Sequence, residues 1–206
     1  MRWLSLLLLL VWSGAQAQQT DYFAGMGLRE GIYNDFLAFR NNRPSAPLAQ
    51  LRDGQGAPVS DLRRVSGKLQ WQPDSGASQT VDMRTIWGFC QNDVVYIGTT
   101  NGFYRIGLMG SLCHLVVEQT YRDWDPYLYG YPMGGVNRTV LVQQLLDMNT
   151  GRYLPFNASG LDAGLQHDRV LSEEFRALPK KQRNSTEVLF RFLRMYNDRN
   201  PLSFPE

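Results

Sequence analysis

Cysteine, histidine and lysine are all scarce in this 206-residue chain. Cys90 and Cys113 are the only cysteines, which excludes a disulfide scaffold and a cysteine-built zinc site. The two histidines, His114 and His167, stand far apart with no second His or Cys at ligand spacing, so no metal and no cofactor is expected. Lysine occurs three times, and a formal net charge of +2 gives no field of the strength that nucleic acid requires of a partner. G-x-S-x-G, H-E-x-x-H, P-loop, dinucleotide and EF-hand patterns are all missing. Asp53-Gly54-Gln55-Gly56 lacks the repeated acids of a calcium loop and reads as a turn. No catalytic residue is assigned on these grounds.

Long apolar runs are also missing after the first few residues. Residues 1–17 carry Arg2, an apolar run over 4–12 and the small-residue stretch Ser13-Gly14-Ala15-Gln16-Ala17. That order is the pattern of a secretory signal peptide cut before Gln18. The run is about half of the roughly 20 apolar residues that a membrane span needs. The expected product is one soluble globular domain over 18–206, without a transmembrane segment, in the periplasm or secreted.

With 43% hydrophobic residues the chain can bury a core, and its centre shows how. Short β-rich runs over 65–71, 83–90, 94–99, 103–109 and 113–119 alternate with Asn, Asp and Gly, including Asn92-Asp93 and Asn101-Gly102. Such dipeptides tolerate positive φ and mark hairpins. Two further runs, 139–146 and 152–156, are separated by Asn149-Thr150-Gly151. Beyond Phe156 the apolar period lengthens towards that of a helix, ending with Val188, Leu189, Phe192, Leu193 and Tyr196 on one stripe. Ser172 before Glu173-Glu174, and Asn184 three residues before Glu187, are the expected helix starts. Strands first and helices last predict an α+β fold: an antiparallel β-meander, as a curled sheet, with C-terminal helices packed on it.

This layout bears on the cysteines. Cys90 ends one strand and Cys113 begins the third strand after it, so a flat sheet separates them by about three spacings of ~4.8 Å, too far for a bridge. A Cys90–Cys113 disulfide therefore requires strong curling or another strand order.

The most distinctive stretch holds Tyr121, Arg122, Asp123, Trp124, Asp125, Tyr127, Tyr129 and Tyr131 in an expected loop between strands. Rigid rings beside two acids and a guanidinium suit stacking on a sugar ring or a peptide. The same residues also suit a lid that packs its own aromatics over the sheet edge. Asp123 and Asp125 further resemble the paired acids of a glycosidase. A Cys113–His114 dyad is disfavoured because neighbouring strand residues point to opposite faces. Lys180, Lys181, Arg183, Arg191, Arg194 and Arg199 gather charge near the C-terminus, as a solvated helix face does.

Several phrases together carry a resemblance. They are Glu30-Gly31-Ile32-Tyr33 with Asp35-Phe36-Leu37 and Asn42-Arg43-Pro44-Ser45, Ile86-Trp87-Gly88-Phe89-Cys90 with Val95-Tyr96-Ile97 and Phe103-Tyr104-Arg105-Ile106, and Leu146-Asp147-Met148-Asn149-Thr150-Gly151. In these the chain resembles uncharacterised secreted proteins of Bacteroidota-like Gram-negative bacteria. The resemblance implies an exported protein and supplies no catalytic residues. The expectation is a non-enzymatic, envelope-associated binding or structural protein that meets an envelope component, glycan or peptide through the aromatic loop. The alternative is a hydrolase on a surface polymer using Asp123, Asp125 or His114.

Overall fold

A computed structural model describes residues 19–22, 26–74, 76–123 and 136–205. The 1–17 leader pattern lies outside the described residues. Among those described, no helix is long and apolar enough to cross a membrane.

The N-terminal part supplies β1 (Gln19–Asp21), β2 (Gly31–Tyr33), helix α1 (Phe36–Arg40), β3 (Ala46–Pro47), β4 (Leu51–Arg52), β5 (Lys68–Trp71) and β6 (Gln79–Asp82). The meander follows as β7 (Gly88–Gln91), β8 (Val94–Thr99), β9 (Gly102–Leu108), β10 (Leu112–Asp123), β11 (Val136–Asp147) and β12 (Tyr153–Pro155). Helices α2 (Ala158–Gly164), α3 (Arg169–Ala177), α4 (Lys180–Arg183) and α5 (Thr186–Arg199) come next, and β13 (Ser203–Pro205) closes the order. The chain is α+β, as expected.

Eight strands form an antiparallel sheet in the order β12-β11-β10-β9-β8-β7-β2-β3, with β4-β5-β6 as a separate small sheet and β1 paired to β13. The large sheet has two edges and is not closed. Turn chemistry sets its register: Asn92 and Asp93 both take positive φ, 52° and 58°, in the two-residue link that pairs Gln91 with Val94.

The two sheet faces are covered differently. Cys90, Val95, Ile97, Ile106, Cys113, Leu115 and Leu146 lie on one face, packed under α1, Leu202 and Phe204. On the other face, Ile32 and Phe89 pack against Leu51, Leu62, Leu69 and Met83 of the small-sheet region. Leu112 and Leu145 pack under α2, α3 and α5. Small sheet and helices thus share one face of the meander, and strands β8 and β9 run between them.

The predicted α5 stripe is buried at Leu189, Phe192, Leu193 and Tyr196. The helix starts differ from expectation. Asp168 caps α3 by accepting from Leu171 N at 3.0 Å, and Ser172 is buried within the helix. Asn184 is the C-cap of α4, and Ser185 stands at the N-cap of α5. Strand β10 also runs further than predicted: Tyr121, Arg122 and Asp123 belong to a strand and not to a loop, since all three continue the ladder with β11. Cys90 and Cys113 are free, buried thiols. Their strands β7 and β10 are separated by β8 and β9 in an open sheet, which keeps the candidate disulfide apart.

Candidate binding site

Two short segments of the sequence repeat one local device. In Asp61-Leu62-Arg63 and Asp82-Met83-Arg84 the aspartate accepts from the arginine backbone N–H, at 3.0 Å in both cases. The same carboxylate also accepts a guanidinium fork, Nε and Nη2, at 2.9 and 2.8 Å in the first and 3.0 and 2.6 Å in the second. The middle residue, Leu62 or Met83, is buried and anchors the turn. Planar bidentate geometry and an anchored backbone fix where each guanidinium points. The hydrogen bonds from Arg63 hold the Asp61 carboxyl below its ordinary range, and those from Arg84 do the same more strongly for Asp82. The first turn is tied to the main sheet: Gln91 of β7 accepts from Leu62 N at 2.9 Å and donates to Ser60 O at 2.7 Å.

Both arginines stand on the rim of one open cavity of about 900 Å³. Its floor is Tyr96 and Gly98 of β8 with Phe103 of β9, and its apolar wall comes from Val65, Met83 and Ile86. Phe89, fully buried, stacks on Tyr96 at 4.8 Å and meets Phe103 edge-on at 5.0 Å, so both half-buried rings are held from beneath. Gly98 is needed where it stands. A Cβ there would come within 2.8 Å of Ile86 O and 3.2 Å of the Phe103 ring. The two cations that line the cavity, Arg63 and Arg84, are each paired with their own aspartate, Asp61 or Asp82. The site combines rigid ring surface with two guanidiniums held in fixed positions, elements that suit a ring-bearing anion.

The eight residues singled out from sequence are divided. Tyr121 is exposed and pairs across the ladder with Arg138; Asp123, on the same face, binds Arg138 Nε at 2.8 Å. Arg122 lies between them in sequence and hence on the opposite face, across from Asn137. Trp124, Asp125, Tyr127, Tyr129 and Tyr131 lie outside the described residues.

No family model, curated protein or solved structure matches this chain.

His114 and Cys113 do not form a pair. His114 Nε2 bonds Gln143 Oε1 at 2.9 Å, while the Cys113 thiol donates to Gly110 O at 3.2 Å from the other face of the strand. Burial pushes the Cys113 thiol up to about 12 and lowers the His114 pKa, which disarms both partners of a nucleophilic dyad. Among the described residues no group of three or more His, Cys, Asp or Glu is placed to hold a metal.

Sequence reasoning missed the two arginine turns. A signal was available, because Asp-apolar-Arg occurs at both 61–63 and 82–84, each beside a strand run.

Proposed function

We propose that this is an exported, non-enzymatic binding protein of the cell envelope, and that it holds an acidic, ring-bearing ligand in the cavity floored by Tyr96 and Phe103. The leader pattern supports export. One observation carries the site: a ring pair locked over Phe89, with two guanidiniums pinned at its rim by their own aspartates. Such a surface loses little side-chain entropy on binding. The hydrolase reading draws on Asp123, Asp125 or His114; of these Asp123 is the partner of Arg138, His114 bonds Gln143, and Asp125 lies outside the described residues.

The test is a thermal-shift screen of the purified protein against acidic sugars, neutral sugars and acidic peptides, because a ligand of the native state raises Tm by mass action. Acidic ring compounds raise Tm and neutral ones do not. The shift disappears in Phe103→Ala and shrinks in Arg84→Gln. A shift that survives Phe103→Ala and is lost in Trp124→Ala moves the site to the aromatic stretch after β10.

A further inference from the structure

The cavity does not end at Phe103. Tyr96, on its floor, is the direct cross-strand partner of Arg105, and the two therefore share a face. Arg105 lines a second open groove, of about 580 Å³, together with Gly107, His114, Val116, Phe190 and Arg194. Phe103 and Arg105 alternate along β9 on that same face, and past the bulge at Gly107 the face continues through Leu108, the cross-strand partner of His114, so cavity and groove adjoin along β9 as a furrow. The residues from Phe103 to Gly107 alone extend it by about 13 Å, at roughly 3.3 Å per residue.

The second groove has the same character as the first. Phe156 and Phe190 meet the His114 ring at 4.6 and 4.8 Å, and the Arg194 guanidinium lies 5.9 Å from the centre of the Phe190 ring. No acid lines it. Arg105 and Arg194, like several other arginines outside the groove, have no carboxylate partner among the described residues. Two exposed guanidiniums thus face a groove in which no described residue supplies the counter-charge. Because Gln143 Oε1 accepts from Nε2, His114 keeps Nδ1 as an acceptor. That atom looks towards Gly107, where an added Cβ would stand 4.0 Å from it, so the missing side chain leaves room for a hydroxyl to donate.

Resting on the reading of the cavity as a binding site, we infer that the furrow seats an acidic polysaccharide laid along β9, with Arg105, His114 and Arg194 as its second anion subsite. Rings and cations alternate along the furrow, Tyr96 and Phe103, then Arg105, then Phe190 with Arg194, in the way that a chain of uronic-acid rings would require. A peptide strand is the poorer occupant. The floor is a sheet face of side chains, without the row of free backbone N–H and C=O groups that holds an added strand.

Titration calorimetry with a dimer and a hexamer of galacturonic acid tests this. The hexamer binds about tenfold or more tighter than the dimer. Arg105→Gln combined with Arg194→Gln, both exposed positions, removes that advantage while dimer affinity and Tm stay unchanged. Phe103→Ala weakens both ligands. A hexamer advantage that persists in the double variant overturns the second subsite and leaves the cavity standing. Binding of neither galacturonate, with polyglutamate bound in an Arg105- and Arg194-dependent way, overturns the polysaccharide. Dimer binding indifferent to Phe103→Ala overturns the cavity reading itself.

Discussion

The side chain of Asn197 on α5 replaces a missing strand for Leu112. Its Oδ1 accepts from Leu112 N and its Nδ2 donates to Leu112 O, both at 2.9 Å. Strand β9 ends at Leu108 and so offers Leu112 no backbone partner on that side. The carboxamide thereby docks the last helix onto the sheet. Asn197→Leu leaves a buried donor and acceptor unpaired, at about 1–3 kcal/mol each, and lowers stability by roughly 2–4 kcal/mol. Urea unfolding reads this as a lower midpoint with unchanged m. Gly110→Ala has the same effect from the other side, since its Cβ would fall 2.3 Å from the Asn197 carboxamide. A change under about 0.5 kcal/mol in both variants removes the argument.

The meander was legible because β8 alternates cleanly and Asn92-Asp93 adopts the turn that its residue types favour. Strand β6, Gln-Thr-Val-Asp, was hidden by having a single apolar residue. The far half of β10 was hidden for a related reason: 118–122 are exposed on both faces, so burial imposes no period there. Period two also places Tyr96 and Phe103 on the face that bears Phe89, but it does not say whether the covering layer leaves them open. That depends on where the small sheet ends and the helices begin, a matter of contacts remote in sequence. Each Asp-apolar-Arg turn is local and readable. Their meeting at one rim is not.

Gly160 reverses an ordinary helix rule. Ala in place of an interior helical Gly usually stabilises by about 1 kcal/mol. Here a Cβ would lie 1.9 Å from Pro155 O and 2.9 Å from Pro155 C, which are backbone atoms of β12 and cannot rotate away. Overpacking of this kind costs about 1–3 kcal/mol or more, so Gly160→Ala gives a net loss of roughly 2 kcal/mol. Thermal unfolding measures the sign directly, and a raised Tm refutes the clash.

The two thiols are inert in the native protein. Burial pushes both Cys90 and Cys113 up to about 12, far above the pH at which thiolate reagents are used. Labelling at pH 8 is slow in buffer, and both residues react at once in denaturant without any reductant. Two sites that label in denaturant only after reduction would show a Cys90–Cys113 bridge, and with it a sheet far more curled than the open one seen here.

His114 makes stability sensitive to acid. Burial among Phe156, Phe190 and Val116 disfavours its charged form; the hydrogen bond that His114 donates to Gln143 offsets this only in part, and the groove's other titratable groups, Arg105 and Arg194, are cations. The folded-state pKa therefore lies below the unfolded value of 6.5, and the unfolded chain binds more protons in the interval between them. Stability from this residue is complete above pH 6.5 and declines as pH falls through that value towards the folded-state pKa. His114→Gln, which keeps a polar side chain without a titrating ring, flattens that limb of the urea-stability profile. An acidic chain bound beside Arg105 and Arg194 brings negative charge to the imidazole and raises its pKa, so saturating hexagalacturonate shifts the same limb to lower stability loss in the wild type and leaves the His114→Gln profile flat. A limb of equal slope in both proteins would place the titrating group elsewhere.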